Sequence, residues 1–170
     1  MAHVLLNSGE YFGRFVDQLY ANILHRAADP GGHSYWVNRL ASGANENSVI
    51  SGLLLSAEYA QQNPGNEAFV ESLYQVLLAR HSDSGGLAAW VGMLDAGQPR
   101  ASVVQQLLAC DERNRRIVDQ AYVGLFGRHA EPEGLAYWSG RLQNESGFTP
   151  RSLVELLVAA NEYVTHLTSS

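Results

Sequence analysis

Three copies of one pattern run through this chain of 170 residues, and a repeat limits the possible folds more than any single motif does. Phe15-Val16-Asp17-Gln18-Leu19-Tyr20 returns as Phe69-Val70-Glu71-Ser72-Leu73-Tyr74, shifted by 54 residues. It returns again, 48 residues further on, as Ile117-Val118-Asp119-Gln120-Ala121-Tyr122. The same shifts carry Arg26 to Arg80 and Arg128, Asp29 to Asp83 and Glu131, and Gly32 to Gly86 and Gly134. They also carry Trp36 to Trp90 and Trp138, and Leu40 to Leu94 and Leu142. A closing segment ends each copy: Ser48 to Tyr59, Ser102 to Arg113, and Ser152 to Tyr163 after a loop two residues longer.

The opening stretch from Leu5 to Tyr11 matches the closing segment from Leu53 to Tyr59. It reads as the end of a truncated upstream repeat at 1–11, and the array is expected to continue upstream in a longer protein. Repeat 1 then covers 12–65, repeat 2 covers 66–116 and repeat 3 covers 117–170. Each segment has helical periodicity. Phe12, Phe15, Val16, Leu19, Tyr20, Ile23 and Leu24 fall on one face at three-and-four spacing, and Val49, Ile50, Leu53, Leu54 and Ala57 repeat it. Asp29-Pro30 supplies an N-cap acceptor followed by a proline suited to the first helical position. Glu131-Pro132 does so in repeat 3 with a poorer cap, while Gly43 and Gly97 suit helix C-termini. The expected fold is all-α: three-helix repeats, with helices of roughly 15, 12 and 14 residues, stacked into one array because a single unit cannot bury its apolar faces alone.

Composition removes several function classes. The net charge of -6 argues against a generic nucleic-acid binder, which needs a basic face to displace counterions. All eleven basic residues are arginine, which leaves no Schiff-base or P-loop lysine. The single cysteine, Cys110, excludes an intramolecular disulfide and a cysteine-rich zinc site, and it reads as a small buried residue of the third helix of repeat 2. Apolar runs such as Leu53-Leu54-Leu55 fall far short of the roughly 20 residues of a membrane helix, so the chain is not expected to span a membrane.

The most repeated element is Arg-x-x-Asp-x-x-Gly-x-x-Tyr-Trp, from Arg26 through Asp29, Gly32 and Tyr35 to Trp36. One reading makes it a structural turn clamp: Arg26, Arg80 and Arg128 form bidentate pairs with the following acids, and Gly32, Gly86 and Gly134 permit close packing. The other makes it a carbohydrate site, because sugars are held by aromatic faces and a few convergent polar groups. Asp29, Tyr35, Trp36, Asp83, Trp90, Glu131, Tyr137 and Trp138 are the candidate contacts, with repeat 2 degraded by Ala89 in place of tyrosine. No cofactor is expected. One carboxylate per loop falls far short of the six to eight oxygens that calcium takes. His3, His25, His33, His81, His129 and His166 form no His-Glu-x-x-His pair, and His81 and His129 read as exposed turn residues. No catalytic constellation is present, so an enzyme is not expected.

The turn motif, with its Leu-x-Ser-x-Glu-Tyr close at Leu54, Ser56, Glu58 and Tyr59, resembles the bacterial domain-of-unknown-function family numbered 4214. The resemblance extends over nearly all of 4–167, and is looser to phycobilisome linker domains and to the anchoring region of a surface-layer protein. Repeat 3 departs from it by Glu131, and repeat 2 by Ala89 and Arg113. It implies a part of a larger secreted or cell-surface bacterial protein, non-enzymatic, binding a surface polysaccharide or other glycan beside neighbouring domains. The alternative is a helical-repeat spacer or protein-interaction module without a small ligand.

Overall fold

The structure, a computed structural model, describes residues 8–168, with side chains described for 9–160. The upstream closing segment before Ser8, His3, and the side chains of Glu162, Tyr163 and His166 lie outside the described residues. Every regular element among the described residues is helical, which is the all-α fold that the periodicity demands. None of these helices is long and apolar enough to cross a membrane.

The described residues form two compact units, one up to Gln106 and one from Leu107 onward. In the first, α1 (Ser8–Leu19) runs on into a π-helical turn (Tyr20–Leu24) and is followed by α2 (Pro30–Ala41), α3 (Glu46–Leu54) and α4 (Ala57–Gln62). Then come α5 (Gly65–Leu73) with its own π turn (Tyr74–Leu78), and α6 (Ser84–Asp95). α7 (Arg100–Leu108) carries the boundary. The second unit holds α8 (Asp111–Phe126), α9 (Pro132–Asn144) and α10 (Pro150–Thr168).

Local chemistry explains where these helices start and stop. Asp29 accepts from the Gly32 N–H at 2.8 Å and Asp83 from Gly86 at 2.8 Å, so α2 and α6 begin on capped ends. Glu131 makes no such bond at the start of α9, as its longer side chain suggests. Gly43 and Gly97, both at φ +90°, end α2 and α6. The closing segment departs from expectation. It is not one helix in repeat 1, because Ser56 ends α3 and caps α4, its hydroxyl accepting from the Tyr59 N–H at 3.1 Å. Cys110 stands at the same break before α8 and makes no side-chain cap, so it is half-buried at a junction and not inside a helix. At the third position Ala160 offers no oxygen, and α10 runs straight on.

The first helix of each repeat ends on one residue in the left-handed region: His25 (φ 55°), Ala79 (φ 53°) and Gly127 (φ 65°). Only the third is the residue type that meets no Cβ penalty there. Ala79→Gly should therefore stabilise the protein by about 0.5–1 kcal/mol, relief of the left-handed strain outweighing the added freedom of the unfolded chain. Urea unfolding of the variant beside wild type measures it, and a lower midpoint would contradict it.

Unit 1 has an extensive core in which Val16, Ile23, Leu54, Tyr59, Phe69 and Leu73 are almost fully buried. Unit 2 has a smaller one. Val118, Leu153 and Leu157 form its centre, with Ile117, Tyr122, Phe126, Trp138 and Phe148 packed partly around them.

Candidate functional site

The repeated turn begins with the tyrosine at the end of the motif's first helix. Tyr20, Tyr74 and Tyr122 project their hydroxyls to the start of the following helix, where Gly32, Gly86 and Gly134 stand. A Cβ at Gly32 or Gly86 would overlap the Tyr20 or Tyr74 hydroxyl, and one at Gly134 would lie 3.2 Å from that of Tyr122. Glycine is present because another side chain's end occupies the space a Cβ needs. Gly32→Ala should accordingly destabilise by about 1–3 kcal/mol, the range for overpacking, although alanine is the better helix former. Gly92→Ala in α6, where a Cβ meets open space, should instead stabilise by about 0.5–1 kcal/mol. Thermal denaturation of the two variants separates these signs.

The tryptophan meets the same hydroxyl. The Trp90 Nε1–H donates to Tyr74 Oη at 3.1 Å and Trp138 Nε1–H to Tyr122 Oη at 3.2 Å. Burial is the first cause that raises the Tyr20 pKa, with the charge of Asp29 next. All three tryptophans are half-buried, and the ring of Trp36 lies where a Cβ on Gly52 would fall. The arginine covers the other side of the tyrosine, its guanidinium 5.1 Å (Arg26), 4.9 Å (Arg80) and 5.9 Å (Arg128) from the ring centroid.

Arginine and acid are neighbours but not the bidentate pair that their spacing suggests. The closest approach is 3.6 Å for Arg26–Asp29, 3.6 Å for Arg80–Asp83 and 3.2 Å for Arg128–Glu131. The aspartates point their oxygens at the helix N-terminus, since capping an otherwise orphaned N–H uses the geometry first. Arg26 finds its bidentate partner in Glu58, with Nε to Oε1 at 2.6 Å and Nη2 to Oε2 at 2.7 Å. The Arg26 bond holds the Glu58 carboxyl below the usual range, and the Gly32 N–H does the same for Asp29. Sequence reasoning missed this role of Glu58, although the glutamate recurs as Glu112 and Glu162 in each closing segment and so marked itself.

A second acid supports the turn from the preceding helix. Glu71 accepts from Ser82 Oγ at 2.5 Å and Ser82 N–H at 3.1 Å, and its other oxygen lies 2.6 Å from His81 Nδ1. Asp119 lies 2.7 Å from His129 Nδ1 and accepts from Ala130 N–H at 3.1 Å. His81 and His129 are indeed exposed, each against a carboxylate. In repeat 1, where Ala27 replaces the histidine, Asp17 faces His33 at 3.6 Å. The Ser82 and His81 bonds pull the Glu71 pKa from 4.5 to about 2. A carboxyl depressed in the folded state contributes stability that is complete above its unfolded value and disappears as pH falls through its folded one. Stability should therefore decline from about pH 4.5 to about pH 2, and Glu71→Gln should flatten that slope in pH-dependent urea titrations.

Among the sugar-contact candidates, Asp29 and Asp83 are engaged as helix caps, Glu131 pairs with Arg128, and the N–H groups of Trp90 and Trp138 are bonded within the turn. The first two turns lie in unit 1 and the third in unit 2. Two candidates remain open. Tyr35 (53% exposed) and Tyr137 (59%) each set an edge on the adjoining tryptophan, at 4.8 and 4.9 Å, and face outward. Each has an arginine four residues on, Arg39 at 5.8 Å and Arg141 at 5.9 Å from the ring centroid. Repeat 2 loses both members together, to Ala89 and Met93. An open recess lined by Tyr35, Asn38, Arg39 and Ser42 lies beside the first pair. No group of three or more metal-ligating side chains occurs among the described residues.

An all-α chain that rebuilds one clamped turn at fixed intervals is a tandem helical-repeat protein. The chain belongs to the family described as a domain of unknown function, DUF4214, which matches residues 9–63 and again residues 53–117. The overlap of the two matches covers the break at Ser56, where one copy closes and the next begins. No curated protein matches the chain.

Proposed function

We propose that the chain is a non-enzymatic helical-repeat scaffold, a spacer or protein-interaction module whose repeated turn serves the fold. One observation carries this reading: the acids of the motif are engaged at their own turns, and the Trp90 and Trp138 N–H groups are spent on the tyrosine of their own repeat. A ligand site keeps convergent polar groups free for its ligand, and a structural clamp satisfies them internally. Acrylamide quenching and a glycan array on the folded chain test the reading. The expected result is poorly quenched tryptophan and a blank array, with and without calcium.

The second reading is a glycan-binding or cell-surface anchoring module of a secreted bacterial protein. The outward tyrosines Tyr35 and Tyr137 favour it, because an exposed aromatic face suits a sugar ring; Arg39 stands beside the first as a donor, whereas Arg141 is held bidentately by Glu145. Several weak sites on one array would gain by effective concentration. This reading predicts dose-dependent binding to a restricted set of sugars that Tyr35→Ala with Tyr137→Ala abolishes without unfolding the protein. Array binding that survives this double substitution would remove these tyrosines from consideration.

A further inference from the structure

The outer side of α2 carries a recess whose counterpart in repeat 3 is closed by the chain's own side chains. His33 of α2 faces Asp17 of α1, and at 3.6 residues per turn Tyr35, Asn38, Arg39 and Ser42 fall on the opposite side of the helix. With Gly43 and Ala44 they line an open recess of about 570 Å³, within the usual size range of binding sites. Exposed arginines elsewhere lie on a carboxylate one helical turn away, Arg14 on Glu10 and Arg115 on Asp111. No carboxylate among the described residues reaches Arg39. Its guanidinium donates to Tyr35 Oη at 3.3 Å and stands 5.8 Å from the centre of that ring. Nor does the end of α2 require it, because the Ser42, Gly43 and Ala44 N–H groups already bond the carbonyls of Asn38, Leu40 and Arg39.

The shifts that align the repeats set Arg141 at the position of Arg39 and Tyr137 at that of Tyr35. There Glu145 holds the guanidinium bidentately, at 2.5 Å from Nε to Oε2 and 2.9 Å from Nη2 to Oε1. The Phe148 ring covers the same guanidinium at 4.1 Å and stacks on Trp138. Glu145 corresponds to Gly43. Phe148, beside the Thr149 that caps α10, corresponds to Ala44, beside the Asn45 that caps α3. Repeat 3 has room for the glutamate because its longer loop makes the left-handed turn at Gly147, whereas repeat 1 turns at Gly43 itself. Repeat 1 therefore keeps the arginine, the tyrosine and the tryptophan but lacks the carboxylate and the ring that close over them. Repeat 2, with Ala89 and Met93, has neither the tyrosine nor the arginine.

We infer that this recess docks an acidic and aromatic segment of a partner protein, a glutamate and a phenylalanine three residues apart. The carboxylate takes the fork of Arg39 and the ring lies over the guanidinium, as Glu145 and Phe148 do on Arg141. Exposed tyrosine and arginine side chains are the usual anchors of protein interfaces. This deepens the scaffold reading and rests on it, because it names the chemistry of the partner.

Nuclear magnetic resonance of the isotope-labelled full chain tests the inference, with the peptide acetyl-Asn-Glu-Ser-Gly-Phe-Thr-amide, the sequence of 144–149, as probe. The titration runs to about 10 mM because so small a contact binds weakly. The expected result is saturable shifts of the Arg39 Nε–H and the Ala44 amide, with a Kd of about 1 mM. Glutamine for the peptide's glutamate, or alanine for its phenylalanine, should weaken binding at least fivefold. Arg39→Gln, at an exposed position, should do the same with unchanged circular dichroism, and Arg39→Lys should fail to restore binding, since an ammonium has no planar fork. Absence of shifts overturns the inference, and so does a glutamine peptide that binds equally well. Trigalacturonate, an acidic sugar without an aromatic ring, is the third arm. If it binds these residues more tightly than the peptide, the inference fails and the glycan reading gains. A failed peptide titration alone leaves the scaffold reading in place, since tryptophan quenching and the glycan array test that separately.

Discussion

Trp138→Ala should unfold unit 2, with a loss of about 3–5 kcal/mol, the usual range for a large aromatic removed from a packed site. The ring stacks on Phe148 at 6.1 Å, meets the edge of Tyr137 at 4.9 Å and donates to Tyr122. It also packs on the cluster of Val118, Leu153 and Leu157, which is most of the buried apolar material this unit has. A domain of such size is only marginally stable, so one lost aromatic exceeds the reserve. Urea titration followed by near-ultraviolet circular dichroism should show the signal of Trp138 gone and a transition missing, while that of unit 1 remains. A variant that kept the wild-type unfolding profile would make the ring a surface group and return it to the sugar-binding candidates.

Phe69→Ala should destabilise unit 1 by a comparable amount, about 3–5 kcal/mol. The side chain is fully buried, held between the Tyr59 ring at 6.1 Å and the Arg100 guanidinium at 4.2 Å. Its removal opens a cavity beneath Arg100, which also donates to the Gly65 carbonyl at 2.8 Å. Phe69→Leu keeps much of the volume and should cost less than about 1.5 kcal/mol. Differential scanning calorimetry of the pair distinguishes packing from a general intolerance of substitution. Equal losses from Leu and Ala would mean that the ring's edge-on geometry, rather than its volume, holds the junction.

The turn was largely legible in the sequence because its parts lie close together and recur at fixed shifts. Asp29-Pro30 and Asp83 announce helix starts through a bond to an N–H three residues away, and such local geometry depends little on the rest of the molecule. The partner of Arg26 was not legible in the same way. Spacing nominated Asp29, three residues on, whereas Glu58, 32 residues away, makes the bidentate pair. Nor does spacing tell that Gly32 faces a tyrosine hydroxyl or Gly52 a tryptophan ring, since both depend on how helices cross.

By itself, then, the sequence determined the helical periods, the repeat of the turn and the family to which the chain belongs, all of which rest on interactions within a few residues. Tertiary structure decided what the polar groups of that turn do, for a carboxylate or an indole N–H serves whichever partner the packing brings within reach. It also decided whether each closing segment divides into two helices. The chain breaks at Ser56, whose hydroxyl caps α4, and breaks equally at Cys110, which makes no cap, while α10 runs on past Ala160; the packing around each closing segment, and not the local cap alone, sets where a helix ends.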